Sequence, residues 1–488
     1  MSPIFLLIPI LFPVAGGFRL LLLKEQMEDR RRNRYSETIV CITSVLVFAA
    51  LLAVRREPVM IYSFAGDFSI DFKVDGLSCL FAGMISVMWP FVMLYAFEYM
   101  QETREKNKFF AFYIMTYGVT LGVAFASNIT TMYVFFEMLT LVTIPLVSYY
   151  HDHESMYAAR KYAAFTIGGA GLAFITVIMT TVYGETGSFV YGGSLSINNI
   201  SGIMKFAFAA GFFGFGAKAA LFPLHSWLPT ASAAPTPVTA LLHAVAVVNS
   251  GVFAIIRLAW YVYGPEYLVD SGMQVTAILA ACFTVVFAAV MALKERHFKR
   301  RLAYSTASNL SYMIFGVMLM TPEGLTAGLL HMLFHGIIKM SLFLCAGAFM
   351  HRTGNSYIYQ VNGVGKRMPA TFAFYTLGAL SLTGIPLFCG FISKWNLVMA
   401  GIAADTALGI LGVVCLIIAA FLCAMYTLSV SVRAFFPVDG TDHYGEERQE
   451  AGRLMLIPIV FFGILNILFG VFPAPIVSFI RQIAAGVL

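Results

Sequence analysis

The sequence predicts an all-α integral membrane protein of about fourteen transmembrane helices, with two inverted five-helix repeats that each contain a broken helix. Three observations predict it. Hydrophobic residues make up 59% of the chain and charged residues only 11%, where a soluble domain carries about 25% charged. The apolar runs reach about 20 residues, the length that crosses about 30 Å of hydrocarbon as a helix, and they lack the alternation of a barrel strand. Two of the runs are interrupted by Pro and Gly close to a lysine.

The spans fall at about 2–23, 37–54, 76–99, 109–127, 129–150, 160–182, 203–234, 237–262, 274–293, 302–320, 324–350, 370–398, 406–434 and 454–481. The first opens directly at Met1 without a small-residue cleavage site and is read as retained, not as a signal peptide. Loops 24–36, 101–108, 151–161, 294–301, 351–369 and 434–453 hold twenty of the 31 Lys and Arg, including Arg30-Arg31-Arg32 and Lys299-Arg300-Arg301. The alternate loops and the tails hold Arg55, Arg56, Lys73, Lys205 and Arg481, with Arg257 near that side. Basic loops stay inside, so these face the cytoplasm and both termini of a multi-pass inner-membrane protein face outward. The net charge of +6 follows from this topology and needs no nucleic acid.

The run Gly214-Phe-Gly-Ala-Lys218-Ala-Ala-Leu-Phe-Pro223-Leu-His225-Ser-Trp227-Leu-Pro229 cannot form one straight helix, because each proline deletes a backbone donor. Leu380-Ser-Leu-Thr-Gly384-Ile-Pro386-Leu-Phe-Cys-Gly390-Phe-Ile-Ser-Lys394 again joins a Gly/Pro break to a lysine. Non-helical backbone at membrane depth survives only where protein buries it or water lines it, and interrupted spans in corresponding halves point to paired repeats around a transport route. The breaks lie in the seventh and twelfth spans, five apart. That divides the chain into three leading helices (1–108), a first five-helix repeat (109–262), a second (274–434) and a last helix (454–488). Five is odd, so successive units insert in opposite senses. The plainer alternative is that Pro and Gly are simply common in membrane helices.

Five ionisable residues sit inside apolar runs: Glu137, Lys218, His243, Lys339 and Lys394. A charge at the bilayer centre costs about 2.5–3.5 kcal/mol on insertion scales, so such residues mark ion or proton routes by default. Glu137 is the one carboxylate well inside a span, since Glu98 lies at a wetted helix end. Glu137 and Lys218 together can share a proton or form an ion pair; the alternative is a static pair holding helices together. His331, His335 and Lys339 fall at i, i+4 and i+8 on one helix face, a stripe suited to passing protons. Packing alone, or two histidines binding metal or haem, are the alternatives there. His243 follows the first break and is placed to bridge Lys218 to the stripe. Lys394 is an exit residue or a lysine reaching for the outer interface. The basic run 294–301 and Glu446-Glu447 read as solvated loop faces.

The seven cysteines are scattered, with no C-x-x-C, no Walker A sequence and no G-x-G-x-x-G after a strand, so no cofactor, metal or nucleotide is expected in this chain.

From Val74-Asp75-Gly76-Leu77-Ser78 to about residue 434 the sequence resembles the antiporter-like subunits of respiratory complex I, Mrp cation/proton antiporters and energy-converting membrane hydrogenases. The most specific stretch runs from Lys218 through Pro229-Thr-Ala-Ser-Ala-Ala-Pro235-Thr-Pro237-Val-Thr-Ala-Leu-Leu-His243-Ala. Leu302-Ala-Tyr-Ser-Thr-Ala-Ser, His331-Met-Leu-Phe-His335-Gly-Ile-Ile-Lys339 and Gly390-Phe-Ile-Ser-Lys394 support it. The resemblance implies a fourteen-helix fold with an inverted repeat. It implies that Glu137 and Lys218 are the ion-paired partners of a first half-channel, His243 a connector, Lys339 with His331 and His335 a central relay, and Lys394 an exit. Homologous antiporter-like subunits and peripheral redox subunits are the implied partners, and H⁺ translocation or Na⁺/H⁺ exchange the implied function. His297 stands where the family usually has Asp before the Leu302 motif, which questions a cytoplasmic contact but not the channel. The chain stops soon after the fourteenth span, as in a middle subunit without a long lateral helix. The rival readings are a stand-alone carrier of a small solute or anion and a quinone- or haem-bearing membrane enzyme.

Overall fold

Backbone amides deprived of water must pair within their own segment, and the chain meets that demand almost entirely with helices. The computed structural model describes residues 4–23, 27–53, 57–65, 68–183, 188–195, 202–437 and 448–487. Arg55, Arg56, Glu446 and Glu447 lie outside the described residues. Eleven of the described helices are long and apolar enough to cross a membrane, which makes this a multi-pass membrane protein.

The first helices are α1 (Ile4–Leu22) and α2 (Asp29–Ala53), followed by strands β1 (Val59–Ala65) and β2 (Phe68–Phe72) and helix α3 (Gly76–Tyr99). Next come α4 (Lys106–Phe125), α5 (Ile129–Val147), α6 (His153–Tyr183), α7 (Gly202–Lys218) and the short α8 (Trp227–Ala231). Then α9 (Thr236–Ala244) and α10 (Val247–Ile256) run into a π-helical segment, Arg257–Tyr263. The second half holds the single turn α11 (Pro265–Leu268), α12 (Gly272–Lys294), α13 (Phe298–Met318), α14 (Pro322–Thr353), the turn α15 (Val364–Arg367), α16 (Pro369–Thr383), α17 (Cys389–Ala403) and α18 (Ala407–Phe435). Helices α19 (Arg453–Val471) and α20 (Ala474–Ala484) follow.

The all-α expectation needs one amendment, since β1 and β2 form an antiparallel hairpin. It anchors the start of α5. Asn128 caps that helix by accepting from the Thr131 amide at 2.7 Å, while its own amide donates to Asp71 Oδ2 at 3.1 Å and to the Ser69 carbonyl at 3.1 Å.

The centre of the molecule is α14. Thr321 caps its first turn, Pro322 occupies the first helical position, and Gly354 ends it in the left-handed conformation. Between these stops every residue from Gly324 to Phe349 is buried, against α13, α16, α17, α19, α9 and α3.

Both expected breaks are present. Helix α7 stops at Lys218, and its last-turn Ala217 carbonyl accepts from the Trp227 indole at 2.7 Å and from the Ala220 amide at 3.2 Å. Helix α16 ends at Gly384, whose φ of 101° only glycine adopts without strain. The chain then turns back so tightly that a Cβ on Gly390 would stand 2.0 Å from the Ser381 carbonyl. A third interruption was not signalled by Pro or Gly: the helix is broken after Ala244, where Asn249 Nδ2 donates to the freed Ala244 carbonyl at 2.7 Å.

Candidate ion-transfer site

Lys218 is completely buried at the end of α7. Its amine donates to the Phe136 carbonyl and sits 3.5 Å from the centroid of the Phe136 ring. Glu137 is the next residue of α5, half-buried, and its Oε1 has no hydrogen-bond partner. The two side chains feel one another's charge without closing into an ion pair. The expected pair is therefore an adjacent couple, with the ammonium held on a carbonyl and a π face one residue short of the carboxylate.

A second cluster surrounds α14. Lys339 donates to the Leu302 carbonyl at 3.0 Å and to the Ser305 hydroxyl, both on α13. His331 Nδ1 meets Ser393 Oγ at 2.9 Å and its Nε2 meets Asn309 Oδ1 at 3.1 Å, which ties α14 to α17 and α13. With both ring nitrogens engaged, His331 is poorly placed to ligate a haem iron. The His335 ring lies between, 6.0 Å from that of His331, with neither nitrogen partnered. Lys394, next to Ser393, is half-buried and donates to the Leu382 and Thr383 carbonyls at 2.5 and 3.3 Å. These are last-turn carbonyls of α16, the negative end of a helix dipole, so the break supplies a cage for a cation. That contact turns Lys394 into the protein.

His243 belongs with this second cluster. Both ring nitrogens are buried without partners, its ring lies 4.9 Å from that of Phe343, and the charges acting on it are those of Lys339 and Lys299. No hydrogen bond or ion pair joins it to Lys218. The expected bridge between the two clusters is thus one of position and not of contact.

Three polar residues differ from the sequence expectation. Lys299 and Arg301, read as solvated, are 5% and 9% exposed. Lys299 donates to the Ala234 carbonyl at 2.8 Å, and Arg301 to the Glu295 and Tyr426 carbonyls at 2.9 and 3.1 Å. The two point to different sides of the first turn of α13 and are buried because each reaches carbonyls of another segment, while Lys294 and Arg296 stay exposed. Glu98 is only partly wetted: it accepts from the Leu454 amide at 3.1 Å at the start of α19 and from Arg352 at 3.3 Å.

His297 keeps the capping role that an Asp would fill. Its Nδ1 accepts from the Arg300 amide at 3.4 Å, which requires a neutral ring. Burial first, then Lys299 and Arg300, push its pKa down to about 4 from 6.5. The unfolded chain takes up a proton here below pH 6.5 that the folded chain refuses until about pH 4, so this position lowers folded stability progressively across that window and contributes nothing above it. His297→Asp should raise stability at pH 7 by about 0.3–1 kcal/mol through a stronger cap. The gain should be larger at pH 5, as read from unfolding temperatures of the detergent-solubilised protein.

A family model described as "NADH:quinone oxidoreductase/Mrp antiporter, TM" matches residues 126–420, and one described as "NADH-Ubiquinone oxidoreductase (complex I), chain 5 N-terminus" matches residues 59–110. The chain belongs to the NADH:quinone oxidoreductase/Mrp antiporter family. All seven candidate residues fall inside the longer family match. Among curated relatives, Na(+)/H(+) antiporter subunit A1 of Staphylococcus haemolyticus is 28% identical over 438 residues, covering 83% of this chain and 53% of the relative. Subunit A1 of Staphylococcus aureus strain Newman is 29% identical over 432 residues, with the same coverage. The chain thus spans about half the length of the curated relatives it matches.

Solved structures share the fold over nearly the whole chain. A chain of the archaeal membrane-bound sulfane sulfur reductase superposes with a TM-score of 0.87 at 24% identity, covering 98% of this chain and 97% of that one. A chain of the Mrp complex from Dietzia sp. DQ12-45-1b gives 0.86 at 19%, covering 100% and 98%. A chain of respiratory complex I from Thermus thermophilus gives 0.83 at 22%, covering 99% and 98%.

Proposed function

We propose that this chain is a proton-translocating, antiporter-like membrane subunit that works inside a multi-subunit complex. The observation that carries this reading is the row on one buried helix: Lys339, His335 and His331 on α14, continued by Ser393 and Lys394 at the break and joined electrostatically by His243. A proton enters the first half beside Glu137 and Lys218, passes by way of His243 to Lys339, and leaves by Lys394. Lys218 is gated by the charge of Glu137: when the carboxylate is drawn away or neutralised, the lysine gives up its proton toward the centre. Moving one charge against 100 mV takes about 2.3 kcal/mol. No redox centre is proposed in this chain, so that energy comes from partner subunits or an opposing ion gradient. The relatives named as Na(+)/H(+) antiporter subunits make Na⁺ the first opposing ion to test.

The finer architecture belongs to the same proposal. Adding α13 and the broken pairs α7/α8 and α16/α17 to the eleven long helices gives fourteen spans. Residues 109–262 and 274–434 then form two inverted repeats between an N-terminal unit (1–108) and a final helix (454–488), and the basic loops face the cytoplasm of the inner membrane with both termini outside. Supporting this, α4–α5–α6–α7 and α12–α13–α14–α16 pack in the same sequence of neighbours. A solute carrier is less well supported, because the cavities of about 370, 470 and 570 Å³ at the periphery are lined by other residues than the seven.

Lys218→Ala and Glu137→Ala should each abolish proton movement in inside-out membrane vesicles while the complex still assembles, as judged by native gels and dye quenching. Full translocation in both variants ends the proposal.

A further inference from the structure

The proposed row has a charged, buried outlier at its basic-loop end. Lys299, at the start of α13, is 5% exposed, and its Nζ donates to the Ala234 carbonyl at 2.8 Å. That same carbonyl accepts the Thr239 hydroxyl at 3.1 Å. Thr239 stands one helical turn before His243 on α9, so its hydroxyl and that ring share a helix face. His243 carries two unpartnered ring nitrogens and feels the charges of Lys339 and Lys299. On its other side Lys299 feels Glu154 and Arg300, a surface ion pair. That pair lines a cavity of about 570 Å³ with Tyr157, His297 and Tyr357. A wet vestibule, a buried amine, a hydroxyl and an imidazole thus follow one another toward the centre.

We propose that Lys299 loads protons from this vestibule into the central row, through Thr239 to His243. An N–H bond of the Lys299 ammonium breaks, and the Thr239 oxygen, directly or through one water molecule, takes that proton and passes its own to a ring nitrogen of His243. The neutral amine is recharged by a proton from the vestibule, so atoms and charge balance. This rests on the proton-translocating reading above, and it adds to the entry beside Glu137 and Lys218 a second one, on the basic-loop side, that feeds the central row.

The test uses the whole complex in inside-out vesicles of its own membrane. Proton movement is read by dye quenching after addition of Na⁺ and, in parallel, of the electron donor, and scored in whichever arm the unaltered complex responds. Lys299→Met should slow proton movement about a hundredfold or more, the scale of a lost proton-transfer group. Lys299→Arg should be slowed comparably, although it keeps the positive charge and a donor for Ala234, because a guanidinium does not release its proton. Lys299→His should recover a measurable share, and Thr239→Val should be slowed several-fold. Full rate in Lys299→Arg makes Lys299 a structural cation and overturns the proposal; full rate in Thr239→Val overturns the route. If Lys299→Met fails to assemble, the Arg and His variants carry the comparison. Lys339→Met in the same membranes separates the two readings. If it too retains full rate, the proton-translocating reading falls; if it is inactive while Lys299→Arg is not, only the entry proposal falls.

Discussion

Lys339→Met should reduce proton movement about a hundredfold or more, the range expected when a proton-transfer group is removed, while the folded complex stays intact. The structure explains why this variant is clean. The partners of Lys339 do not lose their last contact when it goes. The Leu302 carbonyl still accepts from the Ser305 and Thr306 hydroxyls, each at 3.1 Å, and Ser305 keeps that acceptor. Methionine fills nearly the same volume along the buried face of α14 and carries no charge to desolvate. Lys339→Ala would confound the result, since truncating a buried side chain of this length typically costs about 2–5 kcal/mol in cavity and transfer terms. Dye quenching in vesicles, with complex quantified on native gels, checks both halves of the expectation. Normal proton movement with methionine at this position would remove the central relay.

The second large effect concerns stability. Arg257, 1% exposed in the π-helical segment, donates to both oxygens of Asp75 at 2.5 and 2.8 Å and to Ser78 Oγ at 3.0 Å. Asp75 in turn caps α3 by accepting from the Ser78 amide at 2.9 Å. The guanidinium also lies 4.4 Å from the Tyr261 ring centroid and 5.1 Å from that of Phe253. Arg257→Leu leaves a buried carboxylate without its counter-charge and should cost about 3–5 kcal/mol. Adding Asp75→Asn should return about 1–3 kcal/mol, because the amide oxygen still caps α3 and no charge remains stranded. The unfolding temperatures of wild type, single and double variants decide this. A single variant as stable as wild type would mean that water reaches Asp75.

The sequence displayed the parts of the site that depend on residue type alone. Pro223, Pro229, Gly384 and Pro386 marked two breaks because they cannot continue a helix, and His331, His335 and Lys339 marked one face because their spacing matches the helical repeat. What depends on packing between distant segments stayed hidden. The interruption after Ala244 has no Pro or Gly, and its freed carbonyl is taken up by Asn249, five residues further on. The burial of Lys299 depends on Ala234, 65 residues earlier. The β1–β2 hairpin is a short segment between two strongly apolar runs, and its pairing was lost beside them.

The enclosure of α14 limits how the molecule can operate. A rod sheathed on all sides for over six turns cannot rock, slide or face alternate aqueous compartments without tearing open the centre of the subunit. Carriers that work like a revolving door need a loose mobile bundle, and here the groups that would ride on it are bolted to the axle. The proposed proton traffic along this line would then depend on wetting and drying and on the swing of a few side-chain tips. Agents that block it should act at the rim or through neighbouring subunits, since Gly324–Phe349 of this helix are buried among the described residues.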